Sequence, residues 1–306
     1  MVKINRLLTA VLLTATIAYS HGGERDNFDI KRAYMALEFS VPENVIYIDQ
    51  PTAVTVELVT DFRTVQSAVP SGEIRLDKGE FSTNQKVDYA GNPYEDYRDG
   101  RRVIVYPLET RVVSFADKGN KKLVSPEYKV ALNIPTIIND PFWGPRRGYR
   151  TEERVLKPQS INIKVKDLPQ PEDDLNFSGS VGEFGIQTIL PKGDIFVNEE
   201  ATVYIILRGT GLIGANTMPE YRSAFGEGIQ LRSVQEEREE RFDRGQLINE
   251  LRLECTFIPT ERKEIIIGET HYDFFNPVTK QYERVTSEPV KINVKSSTAK
   301  RERLEI

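Results

Sequence analysis

The chain has 306 residues, 39% of them hydrophobic and 28% charged, and a formal net charge of −5. Charges of both signs with an acidic excess do not favour nucleic acid or anionic lipid as a partner of the surface at large. A single cysteine, Cys255, excludes an internal disulfide, and two histidines, His21 and His271, leave no cysteine or histidine set at metal-ligand spacing.

Lys3 and Arg6 precede an apolar segment from Leu7 to Ala18, and Ala18-Tyr19-Ser20 places small residues three before and one before a cleavage point. This predicts a secretory signal peptide over 1–20, since the run is well short of the roughly 20 residues that span a bilayer. Loss of Lys3 and Arg6 takes the charge from −5 to −7 (−5 − 2). No later apolar run approaches membrane length, so no transmembrane helix is expected in the mature chain, and 297–306 reads as a charged tail.

A first module is expected over 34–167. Ala36 to Pro42 and Tyr47 to Leu58 alternate as strands around a Pro42-Glu43-Asn44 turn. Arg102 to Tyr106 and Arg111 to Phe115 are predicted as a hairpin interrupted at Pro107, with a reversal at Asp117-Lys118-Gly119-Asn120. Tyr128 to Ile134 and Ser160 to Val165 complete the strand set. Val87 to Gly100 reads as a solvated loop, its acids lacking the regular oxygen-ligand spacing of a calcium site. Asn139 to Tyr149 reads as irregular and carries Trp143 beside Phe142, Arg146 and Arg147. Trp and Arg are enriched at binding hot spots, and a tryptophan tucked over the end of a sandwich core is the competing reading.

Leu168 to Asp174, with Pro169 and Pro171 among acids, predicts a linker over 168–176. The second module, 177–296, opens with Phe184, Ile186, Thr188 and Leu190, then Val203, Ile205 and Leu207, alternating about a Pro191-Lys192-Gly193-Asp194 turn. The first module carries the same cassette 149 residues earlier: Met35, Leu37 and Val41 fall on Phe184, Ile186 and Leu190, and Val54, Val56 and Leu58 on Val203, Ile205 and Leu207. Ile134-Pro135-Thr136 matches Ile258-Pro259-Thr260 at an offset of 124 (258 − 134). That match places a deletion in the second copy around Val87 to Phe115. Glu236 to Arg244 is expected at a hairpin tip, and Cys255 inward with Leu253 and Phe257. The fold class that follows is all-β: tandem immunoglobulin-like β-sandwich domains after an N-terminal signal peptide.

Catalytic motifs are missing. There is no G-x-S-x-G elbow, P-loop or H-E-x-x-H, and Gly209-Thr210-Gly211-Leu212-Ile213-Gly214 is followed by a Pro-containing crossover where a dinucleotide fold needs a helix. No catalytic, metal or cofactor residue is therefore nominated, and the expectation is a non-enzyme.

Three segments resemble one family. Phe177-Ser178-Gly179-Ser180-Val181-Gly182-Glu183-Phe184 resembles the F-S-G-x-V-G-x-F entry of the BatD, or oxygen-tolerance, proteins. Arg208-Gly209-Thr210-Gly211 is similar to their S-G-T-G-N segment, with Leu212 where asparagine is usual. Tyr272 to Tyr282, followed by Glu288 to Val294, is similar to their Y-x-Y-F-D-P-x-T-x-x-Y hairpin and closing strand. The resemblance implies a periplasmic, immunoglobulin-like protein with envelope partners that include von Willebrand A-domain and tetratricopeptide-repeat proteins. It carries over no catalytic residue, and membrane association is expected through partners. The partner-binding residues expected are Tyr272, Phe274, Phe275 and Tyr282 of the hairpin, with Phe275 facing outward by alternation, and Trp143. A carbohydrate-binding or cell-surface adhesion module, with an aromatic platform of Tyr94, Tyr97 and Trp143, is the alternative.

Overall fold

The computed structural model describes residues 33–88, 90–171, 175–177, 179–214, 217–243 and 246–296. The leader, the tail and linker residues 172–174 lie outside them. The protein is an all-β sandwich fold. Among the described residues no helix is long and apolar enough to cross a membrane.

The first copy contains Met35–Ser40 (β1), Val45–Tyr47 (β2), Thr52–Thr60 (β3), Val65–Pro70 (β4), Arg75–Leu76 (β5), Thr83–Val87 (β6), Tyr94–Arg98 (β7), Arg101–Ser114 (β8), Gly119–Val124 (β9), Tyr128–Asp140 (β10), Gly144–Leu156 (β11) and Ser160–Lys166 (β12). Its sheets run β1-β3-β8-β6 with β7 also on β8, β11-β10-β4, and β2-β12-β9-β5. The second copy contains Val181–Ile189 (β13), Ile195–Phe196 (β14), Ala201–Leu212 (β15), Ile229–Asp243 (β16), Gln246–Pro259 (β17), Glu264–Ile267 (β18), His271–Asn276 (β19), Gln281–Thr286 (β20) and Val290–Lys295 (β21). Its sheets run β16-β17-β15-β13-β19-β20 and β14-β21-β18. Two compact units result. One holds the described residues up to Asn44, Ala53–Val113 and Gly119–Lys164, and the other Val45–Thr52, Ser114–Lys118 and the described residues from Val165.

Alternation explains the cores. In β15 and β17, Val203, Ile205 and Leu207 and Leu251, Leu253, Cys255 and Phe257 turn to one face and are fully buried, meeting Ile265, Ile267, Ile292 and Val294 of the smaller sheet. In β3, Val54, Val56 and Leu58 are buried in the same way.

The duplication holds at the level of hydrogen bonds. All six pairs of β1 with β3 recur 149 residues later in β13 and β15: Leu37 faces Leu58 as Ile186 faces Leu207, and Met35 faces Thr60 as Phe184 faces Gly209. The next turn is shared as well. Asp49 and Asn198 take φ of 57° and 60°, a left-handed conformation that Asp and Asn tolerate best among residues with a side chain. Ile48 N–H donates to the Lys166 carbonyl at 2.9 Å, as Val197 does to Lys295 at 3.0 Å.

Those bonds correct the alignment of the later part. Asp49 N–H donates to the Phe115 carbonyl at 2.9 Å and Asn198 N–H to the Pro259 carbonyl at 2.8 Å, so the counterpart of Pro259 is Phe115, at an offset of 144 (259 − 115). The Ile-Pro-Thr match is a coincidence of three residues: Ile134 lies in β10 against β11, whereas Ile258 lies in β17 against β16. The hairpins β10–β11 and β19–β20 correspond, since Tyr128↔Leu156 maps on Tyr272↔Val285 and Leu132↔Glu152 on Asn276↔Gln281. The second copy is therefore shortened mainly at the tip of this hairpin.

Three further expectations change. Pro107 does not interrupt a hairpin: β8 runs unbroken through it. Pairing with β7 ends at Tyr94↔Val105, two residues before the proline. The Val87 to Gly100 loop holds a strand, β7. Glu236 to Asp243 forms the outer part of β16, an arm of the hairpin beside its tip.

Candidate interaction surface

The segments that carry the family resemblance are packing devices. Gly182 faces Gly211, and Phe184 faces Gly209, across β13 and β15. A Cβ on Gly182, Gly209 or Gly211 would collide with the opposite backbone or with the Phe184 ring, so these glycines let two strands approach while an aromatic ring covers them. Phe184 in turn meets Tyr272 and Phe274 edge-on, at centroid distances of 5.7 and 5.2 Å. The Gly209 to Gly214 segment is thus strand and strand end. On the opposite face of these strands an open trough of about 590 Å³ is lined by Glu183, Gln187, Ile206, Arg208 and Ile248.

The 272–282 hairpin does not present the aromatic surface predicted for it. Tyr272, Phe274 and Phe275 are all buried. Phe275, expected outward, meets Tyr47 at 4.8 Å and Tyr282 at 5.2 Å, both edge-on, within the second compact unit. Tyr282 is half-buried. Phe177 covers it at 4.8 Å, and its hydroxyl donates to the Pro169 carbonyl at 2.6 Å. Asn176 N–H donates to Asp273 at 2.7 Å, so the described residues flanking 172–174 are fastened to the hairpin. Asn276 makes the turn by accepting the Val278 N–H at its side-chain oxygen, 2.9 Å, and Pro277 follows it.

Trp143, by contrast, is 83% exposed and Phe142 91%. The stretch Asn139 to Tyr149, expected to be irregular, is the end of a two-stranded ribbon in which β10 and β11 pair from Tyr128↔Leu156 to Asp140↔Gly144. Pairing of β10 with β4 stops at Leu132↔Val65, so beyond Asn133 and Thr151 the ribbon runs on with no third strand among the described residues. Pro135 and Pro145 hid it from sequence reading, yet in a two-stranded ribbon half of the N–H groups point away from the partner and proline is tolerated. Gly144, at φ 71°, supports the tip. Ile137 and Tyr149, also exposed, were not singled out by sequence. The readable signal was two stretches of equal length about Asp140-Pro141-Phe142-Trp143-Gly144.

The tyrosine platform is not assembled. Tyr94 and Tyr97 are three residues apart on β7 and so point to opposite faces, and Trp143 belongs to another sheet. Tyr94 donates to Glu57 at 3.2 Å, and burial pushes the Glu57 carboxyl above its usual range. Arg98 bonds Glu38 at 3.1 Å and also Asp96. These contacts fasten β7 to the sheet. A second polar cluster joins Arg111 to Glu109 at 2.6 Å, with the Tyr128 hydroxyl donating to Glu109 at 3.4 Å. Cys255 is fully buried, and burial pushes its thiol up to about 11. Among the described residues no group of three or more His, Cys, Asp or Glu could hold a metal ion.

No family model matches the chain, and no curated protein matches it. Among solved structures it is similar, at 13% identity, to the Enterococcus faecalis structure titled "The Enterococcus faecalis MSCRAMM ACE binds its ligands by the collagen Hug Model"; the match covers 85% of this chain and 95% of that one with a TM-score of 0.21. A likeness of that size extends neither to fold nor to function.

Proposed function

We propose that the protein is a non-enzymatic interaction module of the periplasmic side of the envelope, acting with partners that include von Willebrand A-domain proteins. The observation that carries the interaction reading is the ribbon 133–151. Two copies share strand registers, yet only one extends its hairpin, and the extension places exposed apolar residues where no core needs them. A two-stranded ribbon alone in water is marginally stable, and a contiguous exposed apolar patch marks a binding surface. The resemblance of the second copy to oxygen-tolerance proteins supports the envelope setting and the A-domain partners.

The second copy supplies the test, because Pro277-Val278-Thr279-Lys280 joins the positions that 133–151 joins in the first. Replacing 135–149 by those four residues, which keeps the buried Ile134 and the Asn133 bond to Thr64, should leave the melting temperature unchanged. Cross-linking in intact cells should recover A-domain proteins with the full chain and lose them with the shortened one. Equal recovery from both chains, or recovery of none, rejects the proposal.

A further inference from the structure

The ribbon also shows what kind of surface it fits. Its cross-strand pairs put an isoleucine beside an arginine on both faces, Ile137 with Arg147 on one and Ile138 with Arg146 on the other. Neither face is wholly apolar, and the exposed apolar patch is concentrated at the tip. Apolar character rises along the axis, from the arginine pair to Phe142 and Trp143 at the tip. Arg146 lies two residues behind the last pair of the ribbon, at Gly144, ~7 Å at ~3.3 Å per residue, within the roughly 5–10 Å to which interfacial elements bury an apolar face. Trp is the side chain that settles at that boundary, with an apolar body and one polar N–H.

Charge points the same way. Within 133–151, Arg146, Arg147 and Arg150 against Asp140 give +2 (3 − 1), in a chain of −5. Arg146 and Arg147 stand nearer the tip than Arg150, which bonds Glu152 just behind the extension. The acidic balance of the whole chain disfavours anionic lipid, and the ribbon is a local reversal of it. We infer that the tip of the β10–β11 ribbon inserts into an anionic phospholipid surface, with Phe142 and Trp143 in the interface and Arg146 and Arg147 at the phosphates. The inference rests on the ribbon being the interaction element, and it adds the target: the ribbon would seat the module on the membrane beside its protein partners.

Trp143 is the one tryptophan in the sequence, so its emission reports the tip alone. Titration of the full chain with phosphatidylglycerol–phosphatidylcholine vesicles should shift the emission to the blue, and pure phosphatidylcholine vesicles should not. Arg146→Ala with Arg147→Ala should weaken vesicle affinity roughly thirtyfold, at about 1 kcal/mol per arginine, with the far-ultraviolet circular dichroism retained. No shift at millimolar lipid overturns the inference. An equal shift with phosphatidylcholine alone, or the same shift with a soluble acidic polysaccharide, also overturns it. The vesicle assay contains no partner protein, so its failure alongside ribbon-dependent cross-linking removes the lipid target and leaves the interaction module standing. The reverse pair of results rejects the A-domain reading and keeps the lipid site.

Discussion

Asp273 shows how much one buried charge does in the second copy. Its side chain lies in the interior, accepts bonds from Arg284 Nε at 2.6 Å and a terminal guanidinium nitrogen at 2.8 Å, and takes the Asn176 N–H. The bond from Arg284 is the main cause that holds its carboxyl below the usual range. A carboxylate with a depressed folded-state pKa contributes stability above its unfolded value, and that stability is lost as pH falls through the folded value. Asp273→Asn should therefore lower stability at neutral pH by about 1–3 kcal/mol. The gap between the native and variant unfolding midpoints should close as pH drops below about 4. A gap that stays constant down to strong acid would show that shape, and not charge, sets the loss.

The β19–β20 hairpin and the β10–β11 ribbon are one element put to two uses. Phe275 in the first of these is enclosed by Tyr47 and Tyr282, so Phe275→Ser should cost about 3–5 kcal/mol, as loss of a buried aromatic does. Chemical denaturation measures this directly, and a variant of unchanged midpoint would reject the enclosure. Why the two hairpins read differently in sequence is a matter of what covers them. Alternation located Val54, Val56, Leu58 and their counterparts because β3 and β15 each turn those side chains to a sandwich core. In β19 the side chains from Tyr272 through Asn276 are buried on both faces, and alternation cannot report a cover such as that supplied to Phe275 by Tyr47 from a distant segment. The ribbon stayed hidden for the opposite reason, because Pro135, Pro141 and Pro145 carry the signature of a loop. Trp143 and its arginines were legible as hot-spot residue types; the strands that display them were not.

At the scale of the whole molecule, the three offsets locate what separates the copies: 149 across the opening cassette, 144 from Phe115 to Tyr128, and 129 from Leu156 to Lys166. Strand pairing is shared, and the largest difference falls on a single tip. The common register has a consequence for how the chain reaches its native state. Because β1 finds β3 with the same six pairs by which β13 finds β15, an unfolded chain holds two near-equivalent mates for each opening strand. A misassigned β1 on β15 satisfies the backbone while leaving the wrong side chains face to face, a kinetic trap of the kind that afflicts tandem repeats. Refolding from denaturant should therefore show a slow minor phase whose amplitude is independent of protein concentration, since the exchange is within one chain. A single fast phase at every concentration would mean that the divergence between Leu37 and Ile186, and between Thr60 and Gly209, suffices to keep each strand with its own mate.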